Sequence, residues 1–147
     1  KIKTLAENLT KSSKSKEEAA QYLLDFVHNQ LYDKTIEEKT NYAKYPLETL
    51  VERNGDCEDL SILGAALMKA INIDVALIYY QGDPNRNGHV ALGVNGDFNG
   101  TYYQNEGKKY FYAEPTGTDW PEKRANWKIG DIPEGYKDKK AAVYIVE

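Results

Sequence analysis

Residues 57–71, CEDLSILGAALMKAI, are apolar around most of a helical circumference. A helix lying on a surface keeps a polar stripe, so a run this apolar belongs in the middle of a domain, covered from more than one side. The rest of the chain must therefore supply the layers that bury it. The head of the run is equally constraining. Cys57, the only cysteine, stands behind Gly55 and Asp56 and ahead of Glu58 and Asp59, where the run begins, rather than among Leu63, Ala66 and Leu67.

The flanking segments read as those layers. SKEEAAQYLLDFVHNQLYD, from Ser15, is a helix in which Ser15 caps and Glu18 completes a capping box. Ala20, Leu23, Leu24, Val27 and Leu31 then fall on one face. Residues 1–14, rich in Lys, Ser and Thr, are expected to be a flexible lead-in. Pro46 opens a short helix and Gly55 ends a turn. Beyond the apolar run the period shortens. Residues 73–80 (IDVALIYY) and 89–94 (HVALGV) read as strands joined by the loop QGDPNRNG, and TYYQ with KKYFYAEP reads as a hairpin around NEG. Residues 115–138 lack periodicity and read as a long wrapping loop, and KAAVYIVE closes the chain as a strand. Helices followed by a mostly antiparallel sheet give an α+β fold, expected as one domain over residues 1–147.

Charge narrows the function. A net charge of −4 and no basic block argue against a nucleic-acid partner. No apolar run is long enough to span a bilayer. One Cys and two His cannot supply the usual structural zinc sets. The first residue is Lys1, not methionine, which reads as an excised or processed piece; the compartment stays open, with the cell envelope or another extracytoplasmic site as one expectation.

With Asp56 as N-cap, the Cys57 thiol lies in the first helical turn, where unpaired backbone N–H groups and the positive end of the dipole favour a thiolate. Those N–H groups could also stabilise an oxyanion. The alternative is a small buried hydrophobe. A nucleophilic thiol needs a base. His28 falls in the N-terminal helix and reads as a helix-surface residue, whereas His89 follows Gly88 at a strand start beside a polar loop. Glu114, at the end of the apolar stretch YFYAEPT, is either a carboxylate that orients such a histidine or an exposed strand end.

In the order GDCEDLSILGAALMKAINI, GHVALGV and YFYAEPT, these segments resemble the transglutaminase-like branch of the papain-type cysteine enzymes. The resemblance covers roughly residues 45–117, and the Gly-Asp-Cys-Glu-Asp core is most similar to bacterial transglutaminase-like cysteine peptidases. It implies a papain-like core with Cys57 as nucleophile, His89 as base and then acid, and Glu114 as orienting carboxylate, where many members carry Asp. It also implies a calcium site using Asp56 and Glu58; helix capping by Asp56, with Asp59 reaching back, competes for the same acids. No cofactor is expected to be required, and calcium is the one candidate. The expected function is thiol-dependent acyl transfer on a peptide or protein substrate, led by hydrolysis of peptide or isopeptide bonds. Cross-linking of glutamine to an amine and a non-catalytic binding module are the alternatives.

Overall fold

The computed structural model describes residues 1–33, 42–85, 87–117 and 126–147. In chain order the helices are α1 (Ile2–Thr10), α2 (Lys16–His28), α3 (Pro46–Glu52) and α4 (Cys57–Ala70). The strands are β1 (Leu31–Tyr32), β2 (Asn54–Gly55), β3 (Val75–Tyr80), β4 (His89–Asn95), β5 (Tyr102–Asn105), β6 (Lys108–Ala113) and β7 (Ala142–Val146), and Glu134–Tyr136 forms one 3-10 turn. The architecture is the expected α+β one. Five strands pair in the order β5-β6-β4-β3-β7, every neighbour antiparallel, while β1 and β2 form a separate two-residue parallel pair.

Strand alternation assigns each sheet residue to a face. Val75, Leu92, Val94, Phe111 and Ala113 join the helices in one apolar cluster, with Ala20, Leu23, Leu24 and Val27 of α2 and Leu60, Leu63, Leu67 and Met68 of α4. The opposite face carries a smaller cluster of Ile78, Tyr80, Ala91, Tyr112, Ile132 and Tyr136. The apolar run is thus the central helix, covered by sheet, by α1 and by α2. Gly64 permits the contact with the sheet: a Cβ there would lie 2.6 Å from Leu92 Cδ1. Among the described residues no helix is long and apolar enough to cross a membrane.

The structure corrects the reading of residues 1–14 as a flexible lead-in. Residues 2–10 form α1, with Ala6 fully buried and Ile2, Leu5 and Leu9 packed against the main cluster. These four residues fall at i, i+3, i+4 and i+7, a stripe that the surrounding Lys and Thr obscure in a composition count. The wrapping loop is also more anchored than its lack of periodicity implies. Gly130 donates its N–H to Tyr112 O, and its own carbonyl accepts from Thr101 N, so the loop is stitched to the edge of the sheet. Trp127, Ile129 and Ile132 are buried there. Part of that loop, residues 118–125, lies outside the described residues.

Candidate active site

The site begins at the tip of α4. Asp56, in extended backbone conformation, accepts the N–H of Asp59 on Oδ1 at 3.0 Å, and Asp59 Oδ2 accepts the N–H of Asp56 at 3.2 Å. The other oxygen of Asp59 accepts the N–H of Lys44 at 2.8 Å. This reciprocal capping satisfies donors that a helix start leaves unpaired and fastens the approaching chain to it. Gly55 is required for it: a Cβ at that position would lie 2.7 Å from Asp59 Cβ. Asp59 is fully buried, Asp56 and Cys57 are nearly so, and Glu58 is exposed. The thiol therefore occupies the first residue of a capped helix, shielded from bulk water.

A second anchor fixes the tip relative to the sheet. Ser61 Oγ, one turn after Cys57, donates to Val90 O at 3.1 Å, and three residues later Gly64 meets Leu92. Moving toward the start of α4 thus runs toward the start of β4, which is His89. The tip bearing Cys57 lies beyond Ser61 at the His89 end of the sheet.

His89 and Glu114 are brought into direct contact. His89 Nε2 lies 3.0 Å from Glu114 Oε2, and both side chains are fully buried. The same Oε2 accepts from Tyr112 Oη at 2.6 Å, while Oε1 accepts from Thr116 Oγ1 at 2.9 Å and, more distantly, from Thr116 N. Burial is the largest single influence on this carboxyl and raises its pKa. The His89 charge and the hydrogen bonds from His89, Tyr112 and Thr116 together outweigh it, leaving Glu114 below the ordinary value of 4.5 and ionised. Tyr112 is pushed the other way, by burial first and then by the Glu114 charge, so its phenol stays a donor. An ionised carboxylate can only accept. Nε2 of His89 accordingly carries a proton, and in the neutral imidazole Nδ1 is the basic nitrogen.

Tyrosines enclose this pair on the face of the sheet away from the helices. The Tyr136 ring lies 4.8 Å from the His89 ring, Tyr80 stacks nearly parallel at 6.4 Å, and Tyr80 Oη and Tyr103 Oη are 2.5 Å apart. Burial above all raises the Tyr80 pKa, so it too remains neutral.

Sequence reasoning missed several of these partners. Tyr112 was legible in principle, since it precedes Glu114 by two residues and must share its face, and Thr116 follows at the same interval. Tyr136 arrives from a segment without periodicity and carries no such signal. His28 is a correction. It read as a helix-surface residue, yet it is half-buried, and its Nε2 lies 2.6 Å from the backbone carbonyl of Glu114.

The calcium expectation for Asp56 and Glu58 fits poorly. Calcium takes about six to eight oxygen ligands. Among the described residues no group of three or more His, Cys, Asp or Glu side chains converges to hold a metal. Asp56 and Asp59 are committed to the helix start, and Glu58 is exposed.

The chain matches, over residues 1–112, a family described as a transglutaminase-like domain; the match ends just before Glu114. No curated protein matches in sequence. Among solved structures it is similar to a candidate cysteine protease from Cytophaga hutchinsonii, at 19% identity and a TM-score of 0.59, over 78% of this chain and 36% of that one. The chain thus spans about a third of that protein. It is also similar to Legionella pneumophila LapG, at 17% identity and a TM-score of 0.65, over 99% of this chain and 82% of that one. LapG has been solved in a calcium-bound form, which the chain matches at 17% identity with a TM-score of 0.63 over 97% of this chain and 76% of that one. An EGTA-treated form matches at 16% identity and a TM-score of 0.64, over 99% of this chain and 84% of that one.

Proposed function

The chain belongs to the transglutaminase-like domain family, and we propose that it is a thiol-dependent hydrolase of peptide or isopeptide bonds acting through Cys57, His89 and Glu114. The observation that carries this reading is the buried His89–Glu114 pair at the start of β4, the strand to which Ser61 of α4 is bonded one residue further on. A carboxylate held by His89, Tyr112 and Thr116 does more than a strand-end acid needs to do. It fixes the tautomer of His89 and stabilises the imidazolium that forms when Nδ1 takes a proton.

In this reading Nδ1 of His89 accepts the Cys57 proton, and the thiolate attacks the substrate carbonyl. The backbone N–H groups of the first turn of α4 receive the developing oxyanion. His89 then delivers the proton to the leaving amine as the thioester forms. Water, activated by the same imidazole, attacks the thioester, releases the acid and returns the proton to sulfur. The capping acids do not quench the thiolate, because Asp56 and Asp59 turn their oxygens toward backbone donors. No chemical step runs through calcium, and Asp56 and Asp59 act as helix caps.

If a lysine amine replaced water, the same acyl-enzyme would cross-link proteins. Hydrolysis is the reading favoured here, since the chain is similar to cysteine-protease structures. The test is a screen of peptide and isopeptide libraries with and without a labelled primary amine. Cleavage that is lost in Cys57→Ala and unaffected by the amine supports the hydrolase; incorporation of the label at glutamine would move the function to transamidation. No turnover, with a Cys57 that reacts with iodoacetamide only as pH nears about 8.5, would identify a non-catalytic module.

A further inference from the structure

The main-chain ladder stops short of the residue that most needs fixing. The β4–β6 register ends at Leu92↔Ala113, and Glu114 is the next residue. Pro115 follows and offers no N–H. The backbone at Glu114 is therefore outside the sheet, although its carboxylate must hold its bond to His89.

Helix α2 supplies what the ladder does not. Gln21, Asp25 and His28 fall at i, i+4 and i+7 along one face. At its C-terminal end His28 Nε2 meets Glu114 O at 2.6 Å. A carbonyl can only accept, so Nε2 carries the proton and donates it. One turn and more earlier, Gln21 Nε2 donates to Trp127 O at 3.1 Å and Gln21 Oε1 accepts from Ile129 N at 3.0 Å. Trp127 Nε1 in turn donates to Gly117 O at 3.0 Å. Gly117 has φ +78°, and a Cβ there would lie 3.0 Å from His28 O, so this turn packs directly on the end of α2. The helix thereby grips both described limbs of the loop that leaves β6, and His28 alone among these contacts reaches the Glu114 backbone.

We propose that His28 is a positioning residue for the reaction: its Nε2–H, donated to the carbonyl of Glu114, fixes the backbone from which the carboxylate orients His89. The proposal rests on the reading of Glu114 as the orienting carboxylate. Without the His28 bond the carbonyl can rotate, the carboxylate can leave Oε2-to-Nε2 alignment, and His89 loses its fixed tautomer. The protein would keep its fold and its substrate contacts but lose part of its thiolate–imidazolium pair.

Two polar variants separate this from a structural role. His28→Gln places an amide nitrogen near the position of Nε2 and keeps the bond; His28→Asn is too short to reach. The readouts are melting temperature, kcat and KM on a cleaved peptide from the screen, and the pH profile of Cys57 alkylation by iodoacetamide, which needs no substrate. We expect His28→Asn to lower kcat by about tenfold to a hundredfold with KM nearly unchanged, as for a small misplacement of a catalytic group. Its alkylation profile should move toward that of an ordinary thiol, and His28→Gln should restore both. If Glu114→Gln shifts the alkylation profile and His28→Asn does not, the positioning role is wrong and the triad stands. If Glu114→Gln shifts nothing, the triad reading itself fails. If His28→Asn and His28→Gln lose activity equally and in step with melting temperature, His28 is structural only.

Discussion

The two ends of the candidate site are held in different ways. At the tip of α4 the side chains that fix Cys57 are close in sequence: Asp56 and Asp59 bond each other across three residues, and Gly55 clears the space for them. At the end of β6, the carboxylate of Glu114 is held partly by near neighbours, Tyr112 and Thr116, but its chain direction depends on His28, 86 residues away. A helix start can be written as a short word because its unpaired donors lie within one turn. A strand end has no such local solution, so the fold must bring a donor from elsewhere. The capping at the nucleophile end should therefore tolerate distant change better than the carboxylate end does.

The largest expected effects test whether the two ends form one machine. Cys57→Ala and His89→Ala should each remove turnover, by at least about 10⁴-fold, since residues acting as a unit fail together. Their stabilities should differ. Cys57→Ala deletes only a small buried side chain, whereas His89→Ala strands a buried carboxylate and should lower the melting temperature more. The double variant His89→Ala/Glu114→Gln should recover much of that loss without recovering turnover. Thermal melts of the three proteins check this; equal melting temperatures for Cys57→Ala and His89→Ala would break the coupling of His89 to Glu114.

Glu114→Gln comes next. It retains an acceptor for His89 Nε2–H but gives up the charge, so we expect turnover to be strongly lowered rather than lost. Its pH dependence has a definite sign. The folded pKa of Glu114 lies below the ordinary 4.5, so the stabilisation it gives is present above 4.5 and is lost as pH falls through the folded value. The variant should show a shallower loss of stability below about pH 4.5 than the parent. Urea melts between neutral and acidic pH measure the difference, and parallel curves would mean that Glu114 is not held ionised by its partners.

The same contrast explains what could be read from the sequence. The apolar circumference of residues 57–71 demanded a central helix, and period-two stretches announced the strands that cover it. The GDCED word carried its own capping chemistry. The order of the cysteine, histidine and acid segments matched a family, though the family match itself stops at residue 112. What escaped was long-range. No local pattern says that the ring at the end of α2 meets Glu114, or that Tyr136 packs on His89, because those contacts are set by how the loop after β6 folds back. The stripe of α1 was present in the sequence but masked by the charged residues between its members.

Smaller effects sharpen the helix end. Asp56→Ala removes one side of the capping box and should cost about 0.5–2 kcal/mol. Asp59→Ala should cost more, because its two oxygens serve the N–H groups of Asp56 and Lys44 and both would be left buried or strained. Denaturant melts rank the two. If Glu58→Ala proved as costly as Asp59→Ala, the acids around Cys57 would not be acting as caps.

The smallest expected effect is none at all, and it decides between two uses of the same carboxylates. A calcium ion held by Asp56 and Glu58, which the family resemblance implies, is the alternative to capping. A cation would need several oxygens to converge on it. Here Asp56 and Asp59 direct oxygens at backbone donors, and Asp59 uses both of its own in doing so. Turning them toward calcium would unfasten the start of α4 and the approach of Lys44, so metal binding would have to offset the loss of those bonds. We therefore expect EGTA to leave melting temperature and thiol reactivity unchanged, and calcium added to metal-free protein to give no heat in a calorimetric titration. A fall in both on chelation, restored by calcium as mass action requires, would mean that the helix start is completed by a ligand and that its stability is not local after all.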